Sequence, residues 1–369
     1  MQLNRRSLLA AGGLLAALIV IILVIVLSGG GDDDTVTSTT TTSSTTTTSS
    51  TTTTTLPGGP TAPLTGEPIE EGSDLLEKPA IVVKISNNLS VQDNWSGIDR
   101  ADVVIEERIE SSATRFAVIF HSELPERVGP IRSGRTSDIE LLTNLGHPVL
   151  VYSGANPTVT GQLRGLESND QVELVVDRGT GVDLVRDRDF RAPDNLFSNL
   201  LEIDEKYGAE AGIAQPLFTY REAADERLAG DDGLGVTVQG QDDVSFVWDQ
   251  TRGYVRVQNG EIHSTGEGEP FVFDNIVVLE VVYTPSTFAP GSVDAQTVGA
   301  GPVTIMMGGE QWTGTWTRET GSDPYSFFDA DGDPLPLDPG STWMTLVPEG
   351  SYKFEVADEI SALVLEDEG

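Results

Sequence analysis

From Ser7 to Ser28 the chain carries no charged side chain, and Leu18 to Leu27 is built entirely of Leu, Ile and Val. Such a run has about the length needed to cross ~30 Å of hydrocarbon. It divides the chain into what lies before it, within it and beyond it. Arg5 and Arg6 precede the run, and positive residues stay on the cytoplasmic side, so everything after Gly29 is expected outside the cell. Asn4-Arg5-Arg6-Ser7-Leu8-Leu9 also looks like a twin-arginine export signal. A cleaved signal peptide is the alternative, but its apolar region normally spans about 7–15 residues before a small-x-small site. Here the run is longer and is followed by Gly29-Gly30-Gly31. Residues 1–31 are therefore expected to form a retained single-pass anchor in the cell membrane.

Thr37 to Thr55 contains only Ser and Thr. With no large apolar side chain to bury, residues 32–62 are expected to be a disordered spacer, open to O-glycosylation. The chain contains no cysteine, which excludes disulfides, thiolate metal sites, a cysteine nucleophile and a lipobox attachment. Stability outside the cell must then come from core burial, for which the remaining length suffices. The net charge of −36 argues against nucleic acid and anionic lipid surfaces, which require basic patches. No cofactor and no metal site is expected.

Beyond the spacer the fold class reads as α+β, a mixed α/β first domain followed by a mostly β second domain. Residues 79–85, 101–109, 114–121 and 148–152 are short apolar runs bounded by turn formers, the pattern of strands. Ser137 with Glu140 suggests a capping box opening a helix to about Asn144. A second helix is expected over 156–166, and a third is expected to begin with Asp194 as its cap and to end near Gly208. This first domain covers 63–221. A charged, Gly-rich stretch, 222–242, reads as a linker. Residues 243–369 alternate or run apolar between turns, as in a β module with a short acidic tail. Trp248, Trp312, Trp316 and Trp343 are expected to be core aromatics of that module.

Candidate chemistry concentrates in Glu126-Arg127-Val128-Gly129-Pro130-Ile131-Arg132-Ser133-Gly134-Arg135. Three arginines gather there although the chain has only 22 basic residues. Planar guanidinium forks on a strand-to-helix connection suit a carboxylate or phosphate. Arg115 and Arg100 are expected at the same rim. The alternative is that these arginines pair with Glu106, Glu107 and Glu110 to hold the sheet ends together. On the expected strand, alternation puts Glu106 and Glu110 on one face and Glu107 on the other, about 13 Å separating the same-face pair along the chain. That spacing is too long for paired-carboxylate catalysis from one strand unaided, and an exposed acidic face is the expected reading.

Several motifs in order resemble the YerB-type lipoproteins: Pro63-Leu64-Thr65-Gly66, Arg100-Ala101-Asp102-Val103-Val104, Thr114-Arg115-Phe116, Val128-Gly129-Pro130-Ile131-Arg132-Ser133 and Arg191-x-Pro193-x-Asn195-Leu196. Asp274-Asn275-Ile276-Val277-Val278, the run Gly308 to Trp316 and Gly340-Ser341-Thr342-Trp343 are similar to that family's C-terminal β module. The resemblance spans about residues 63–348. It implies a two-part extracytoplasmic protein of Gram-positive type with a domain of unknown function, and it implies no reaction. Two departures stand out. The family usually has a lipobox cysteine where this chain has its apolar run, and Asp194 stands where the family tends to carry histidine.

The ligand-binding candidates are therefore Arg100, Arg115, Arg127, Arg132, Ser133, Arg135, Glu107, Arg191 and Asn195, and no catalytic residue is assigned. His121, His147 and His263 are too scattered for zinc, and His263 is expected to be structural. Asp329-Ala330-Asp331-Gly332-Asp333 departs from a calcium loop in its Gly position and its missing Glu, and suits a hairpin turn. The sequence points to a membrane-anchored protein that binds a cell-wall component or an envelope protein. The alternative is a hydrolase or other enzyme acting on wall polymer.

Overall fold

The computed structural model describes residues 59–88, 93–222, 229–238, 244–287 and 291–354. The anchor 1–31, nearly all of the spacer and the acidic tail lie outside the described residues. Among the described residues no helix is long and apolar enough to cross a membrane.

The first half supplies β1 (Ile81–Ser86), β2 (Val103–Arg108), β3 (Thr114–Phe120), β4 (Val149–Tyr152), β5 (Glu173–Val176), β6 (Val185–Arg186) and β7 (Leu196–Phe197). Its α-helices are α1 (Asp138–Leu141), α2 (Pro157–Ser168) and α3 (Leu200–Tyr207). The second half adds β8 (Asp231–Asp232), β9 (Gly235–Val238), β10 (Val244–Asp249), β11 (Gly253–Gln258), β12 (Glu261–Ile262), β13 (Val272–Phe273) and β14 (Asn275–Glu280). It continues through β15 (Tyr283–Pro285), β16 (Val293–Ala295), β17 (Gly299–Met307), β18 (Glu310–Arg318), β19 (Ser326–Asp329), β20 (Thr342–Val347) and β21 (Tyr352–Phe354). Helices are few and the second half is almost entirely β, in keeping with an α+β fold.

Within 222–242, expected as a linker, residues 231–232 and 235–238 form β8 and β9. β8 pairs with β18 and β9 with β10, so this stretch takes part in both large sheets.

The central sheet has eleven strands in the order β19-β18-β17-β14-β20-β2-β3-β1-β4-β5, with β8 on β18. β20 lies parallel to both β2 and β14, which carries the sheet from the first half into the second. The second large sheet runs β12-β11-β10-β9-β21, with β13 on β11. Alternation sorts the central strands onto two cores. Val82, Ile105, Ala117, Ile119 and Leu150 pack with Leu141 of α1, with Leu145 just after it, and with Val159 and Leu163 of α2. Val83, Ile85, Val104, Phe116 and Val118 pack with Leu200 and Ile203 of α3 and with Phe246 and Tyr254 of the second sheet. A sheet covered on both faces needs strands that are apolar throughout.

Local chemistry explains the helix boundaries. Asn156 Oδ1 accepts from the N–H groups of Thr158 and Val159, both at 3.0 Å, and Pro157 fits the first helical turn, where its missing N–H costs nothing. Two helix expectations differ from the structure. Ser137 makes no cap and α1 is only four residues long, because the Ser137 hydroxyl is engaged by Glu107. Asp194 caps no helix, because Leu196 and Phe197 form β7 and Asn199 caps α3 through the N–H of Leu201 at 3.0 Å. Trp312, Trp316 and Trp343 are buried as expected, while Trp248 is half-buried against the Tyr254 ring.

Candidate functional site

β1, β4 and β5 run parallel, and the carboxyl ends of parallel strands are the usual place for a ligand crevice in open sheets. The segment 128–135 is laid across those ends. Ile131 bridges Ile85, Gly129 bridges Ser96 and Val128 bridges Ser198. Arg132 N–H donates to the Lys84 carbonyl at 2.8 Å, and Ser153 N–H donates to the Arg132 carbonyl at 3.0 Å. Gly134 N–H then reaches the Gly154 carbonyl at 2.9 Å. The loop is thereby wedged between the carboxyl ends of β1 and β4, and the N–H groups of Val128, Gly129, Ile131, Arg132 and Gly134 all find carbonyl partners, as buried loop groups must.

Three of the expected arginines meet at this corner. Arg115, at the start of β3 and opposite Glu107 on β2, is only 5 % exposed. One guanidinium nitrogen makes a long contact of 3.4 Å to the Ser133 carbonyl, and Nε has no hydrogen-bond partner among the described residues. Burial, then repulsion from Arg135 and Arg132, pushes its pKa down to about 9, against the pull of Glu107 and Glu110. At neutral pH it keeps its charge. Arg132 meets the Asp194 carboxylate at 2.5 Å. Arg135 meets Glu110 at 3.0 Å and the carbonyls of Ser133 and Gly134 at 3.2 and 3.1 Å, and its Nε also lacks a partner. A buried guanidinium without a carboxylate of its own is costly unless something else meets it.

The other candidates lie elsewhere. Arg127 stands over the Phe197 ring at 3.6 Å and pairs with Asp187 at 2.7 Å. Arg100 is at the opposite end of β2, paired with Asp99 and Glu123 at 2.9 and 3.0 Å, in a groove of about 540 Å³ whose lining includes Glu67, Asp102, Glu269 and Asp274. A smaller groove of about 330 Å³ brings Arg100 and Arg127 together. Arg191 is exposed. Asn195 accepts from Arg186 at 3.0 Å and donates to the Asp187 carbonyl at 2.9 Å, so it shapes the β6–β7 loop. Ser133 contributes its carbonyl, not its hydroxyl, to Arg115 and Arg135.

The acidic strand is a correction. Glu106 and Glu107 are 3 % and 1 % exposed, so no acidic face is presented to water; each carboxylate is saturated by buried partners. Glu107 and Asp138 both bind Lys84 Nζ, at 2.7 and 2.6 Å, and the Ser137 hydroxyl donates to Glu107. Burial pushes the Asp138 carboxyl up while Lys84 pulls it down, with the rise prevailing. On the other face Glu106 accepts from Arg256, from Thr114 at 2.7 Å, and from Asn87 and the Trp343 indole, both at 3.2 Å. Of the expected glutamate–arginine pairs, only Glu110 with Arg135 is made.

Lys84, Asp138 and Arg256 were not anticipated. For the two cations the signal was a lone positive charge at a core-facing position of a strand apolar on both sides, as in Ile81-Val82-Val83-Lys84-Ile85 and Tyr254-Val255-Arg256-Val257. Lys and Arg are almost never fully buried unless paired. His263 is structural, as expected: it contacts Arg256 through Nδ1 and packs against Trp95 and Phe271 at ring distances of 3.9 and 4.4 Å. The Asp329 region is a turn, with Asp329 Oδ1 accepting from the N–H groups of Asp331 and Asp333. No group of three or more metal-ligating side chains occurs among the described residues.

Comparison with known proteins agrees with this architecture. YerB of Bacillus subtilis (strain 168), whose name marks it as a lipoprotein candidate, is 27% identical over 304 residues, covering 78% of this chain and 86% of that protein. The crystal structure of YerB from Bacillus subtilis superposes with a TM-score of 0.69 at 24% identity, covering 80% of this chain and all of the other, a likeness of fold. Residues 64–213 match the N-terminal domain, and residues 234–344 the C-terminal domain, of the family described as protein of unknown function DUF3048. With both domains present in order and the same fold as YerB, the chain belongs to the DUF3048, YerB-type family.

Proposed function

We propose that this is an extracytoplasmic binding protein, held on the cell membrane by residues 1–31, that recognises an anionic group of a cell-wall component or envelope protein at the Arg115–Arg132–Arg135 corner. The observation that carries the reading is Arg115, a buried guanidinium at the carboxyl ends of the parallel strands with Nε unpartnered among the described residues. Anchorage rests on the apolar run together with the name of the relative YerB. Because the chain has no cysteine, its own apolar segment is the means of attachment. A hydrolase would need accessible carboxylates, and Glu106 and Glu107 of the acidic strand are enclosed in ion pairs.

The test uses full-length chain in detergent and purified cell-wall sacculi. Arg132→Ala, made in an Asp194→Asn background so that no buried carboxylate is stranded, is expected to weaken sedimentation with sacculi about tenfold or more relative to Asp194→Asn alone, equivalent to ~1.4 kcal/mol, while the melting temperature stays nearly constant. Unchanged binding with a marked drop in melting temperature would mean that Arg132 serves only the fold.

A further inference from the structure

We infer that the Asp194 side chain stands in for the ligand's oxyanion at this corner, and that a carboxylate or phosphate group binds by displacing it from Arg132. The inference rests on the arginine-corner reading and specifies how the ligand enters.

Three guanidinium groups lie within electrostatic reach of one another around Arg115. The chain's own acids meet two of them: Glu110 meets Arg135 and Asp194 meets Arg132. Glu107, opposite Arg115, is taken by Lys84 and Ser137. Arg115 is therefore left buried with no carboxylate bonded to it, and Nε of Arg115 and Nε of Arg135 are both unpartnered among the described residues. Asp194 comes from the connection between β6 and β7, two strands of two residues paired with each other in a sheet of their own. Its carrier residues Arg191, Ala192 and Pro193 are exposed, while Asp194 itself is buried.

The way Asp194 is held allows its carboxylate to leave. Asn94 donates to the Asp194 carbonyl at 2.7 Å, which fixes the backbone independently of the side chain. Among the described residues, the other contact to the carboxylate is a marginal one of 3.5 Å from Asn88. Rotation of the side chain thus gives up little beyond the Arg132 pair. An entering oxyanion takes Asp194's place on Arg132 and also meets Arg115, which Asp194 does not bond. Charge-assisted contacts to two guanidinium groups are stronger than one, and that difference drives the exchange.

The experiment titrates full-length chain in detergent with sodium phosphate and, separately, with sodium acetate, at constant ionic strength, and follows binding by calorimetry. Asp194→Asn is expected to bind the better of the two probes at least fivefold more tightly than the unaltered chain. Adding Arg132→Ala to it is expected to abolish the gain. Asp187→Asn removes the same charge from the same connection but frees Arg127, and is expected to give no gain. Asp194→Ser repeats the measurement if the Asn variant does not fold. Binding by the unaltered chain with no tightening in either Asp194 variant overturns displacement and leaves the corner reading standing. An equal gain from Asp187→Asn also overturns it, since general charge relief then suffices. No binding of either probe by any of these proteins sinks the corner reading, and displacement with it.

Discussion

Arg256, on β11 of the second sheet, donates to both carboxylate oxygens of Glu106, on β2 of the central sheet, at 3.1 Å each. The pair is buried on both sides and ties the second half of the chain to the first. Its environment is aromatic: the guanidinium lies 4.7 Å from the Trp343 ring and 5.4 Å from Phe116. Arg256→Ala is expected to cost about 3–5 kcal/mol, because Glu106 is left as a buried charge without its main partner. Glu106→Gln combined with Arg256→Met is expected to cost less than Arg256→Ala alone, since no unpaired charge remains. Urea denaturation of the three proteins checks the order.

His263 makes stability depend on pH. Burial, then the Arg256 charge, hold its imidazole pKa well below the usual range, so it stays neutral in the fold while the unfolded chain protonates near pH ~6.5. Its contribution is present above that value and is lost as pH falls through it. The loss approaches about 1.4 kcal/mol per pH unit for one proton. Between pH 7.5 and 5.5 the unaltered chain should lose more stability than His263→Gln does, read as a difference of slopes. Equal slopes would falsify the assignment.

Arg115 is a charge whose burial the fold tolerates without a carboxylate of its own. Arg115→Met is expected to leave the ligand-free protein as stable or to stabilise it by ~1–2 kcal/mol, because a desolvated cation beside two others is replaced by an apolar chain of similar length. The same variant should lose anion binding. A clear destabilisation in thermal melting would show that Arg115 is part of the fold's support.

Asn156 caps α2 through two N–H groups. Asn156→Ala is expected to cost about 1 kcal/mol, the usual effect of removing such a cap, and Asn156→Asp should restore most of it. Chemical denaturation at neutral pH measures both.

Full-length chain is expected to sediment with membranes and to be released by detergent but not by salt, since residues 7–28 are long enough to span. N-terminal sequencing of protein recovered from the medium is the counter-test. A mature terminus near Gly31 overturns retention of the anchor.

Much of the strand framework was legible because it depends on short-range pattern. Runs such as 101–109 and 114–121 are apolar enough to be strands whatever surrounds them, and Asn156-Pro157 announces a helix through local hydrogen bonding. The scarcity of cations in a chain of net charge −36 made the cluster Arg127, Arg132 and Arg135 conspicuous, and two of its members do meet Arg115. Arg127 does not, because the 128–131 segment crosses from β1 toward β7 and separates it from its neighbours in sequence.

What the sequence by itself determined was the mixed character of the first part and the β character of the second, but not the class of 222–242, which reads as a linker and folds as β8 and β9. Only the tertiary structure decided where charges would be buried. Glu106 and Glu107 read as an acidic surface because alternation gives two faces but not what covers them. Covering came from α1 and α2 on one side and from the second sheet on the other, contributed by residues far away in the chain. Once both faces were enclosed, each carboxylate needed a buried cation, and Lys84 and Arg256 supply them from 23 and 150 residues away. Asp194 makes the same point: its side chain could cap a helix locally, but the pairing of β6 with β7 turns it toward Arg132 instead. Long-range pairing overrides local propensity wherever a buried charge leaves no other partner within reach.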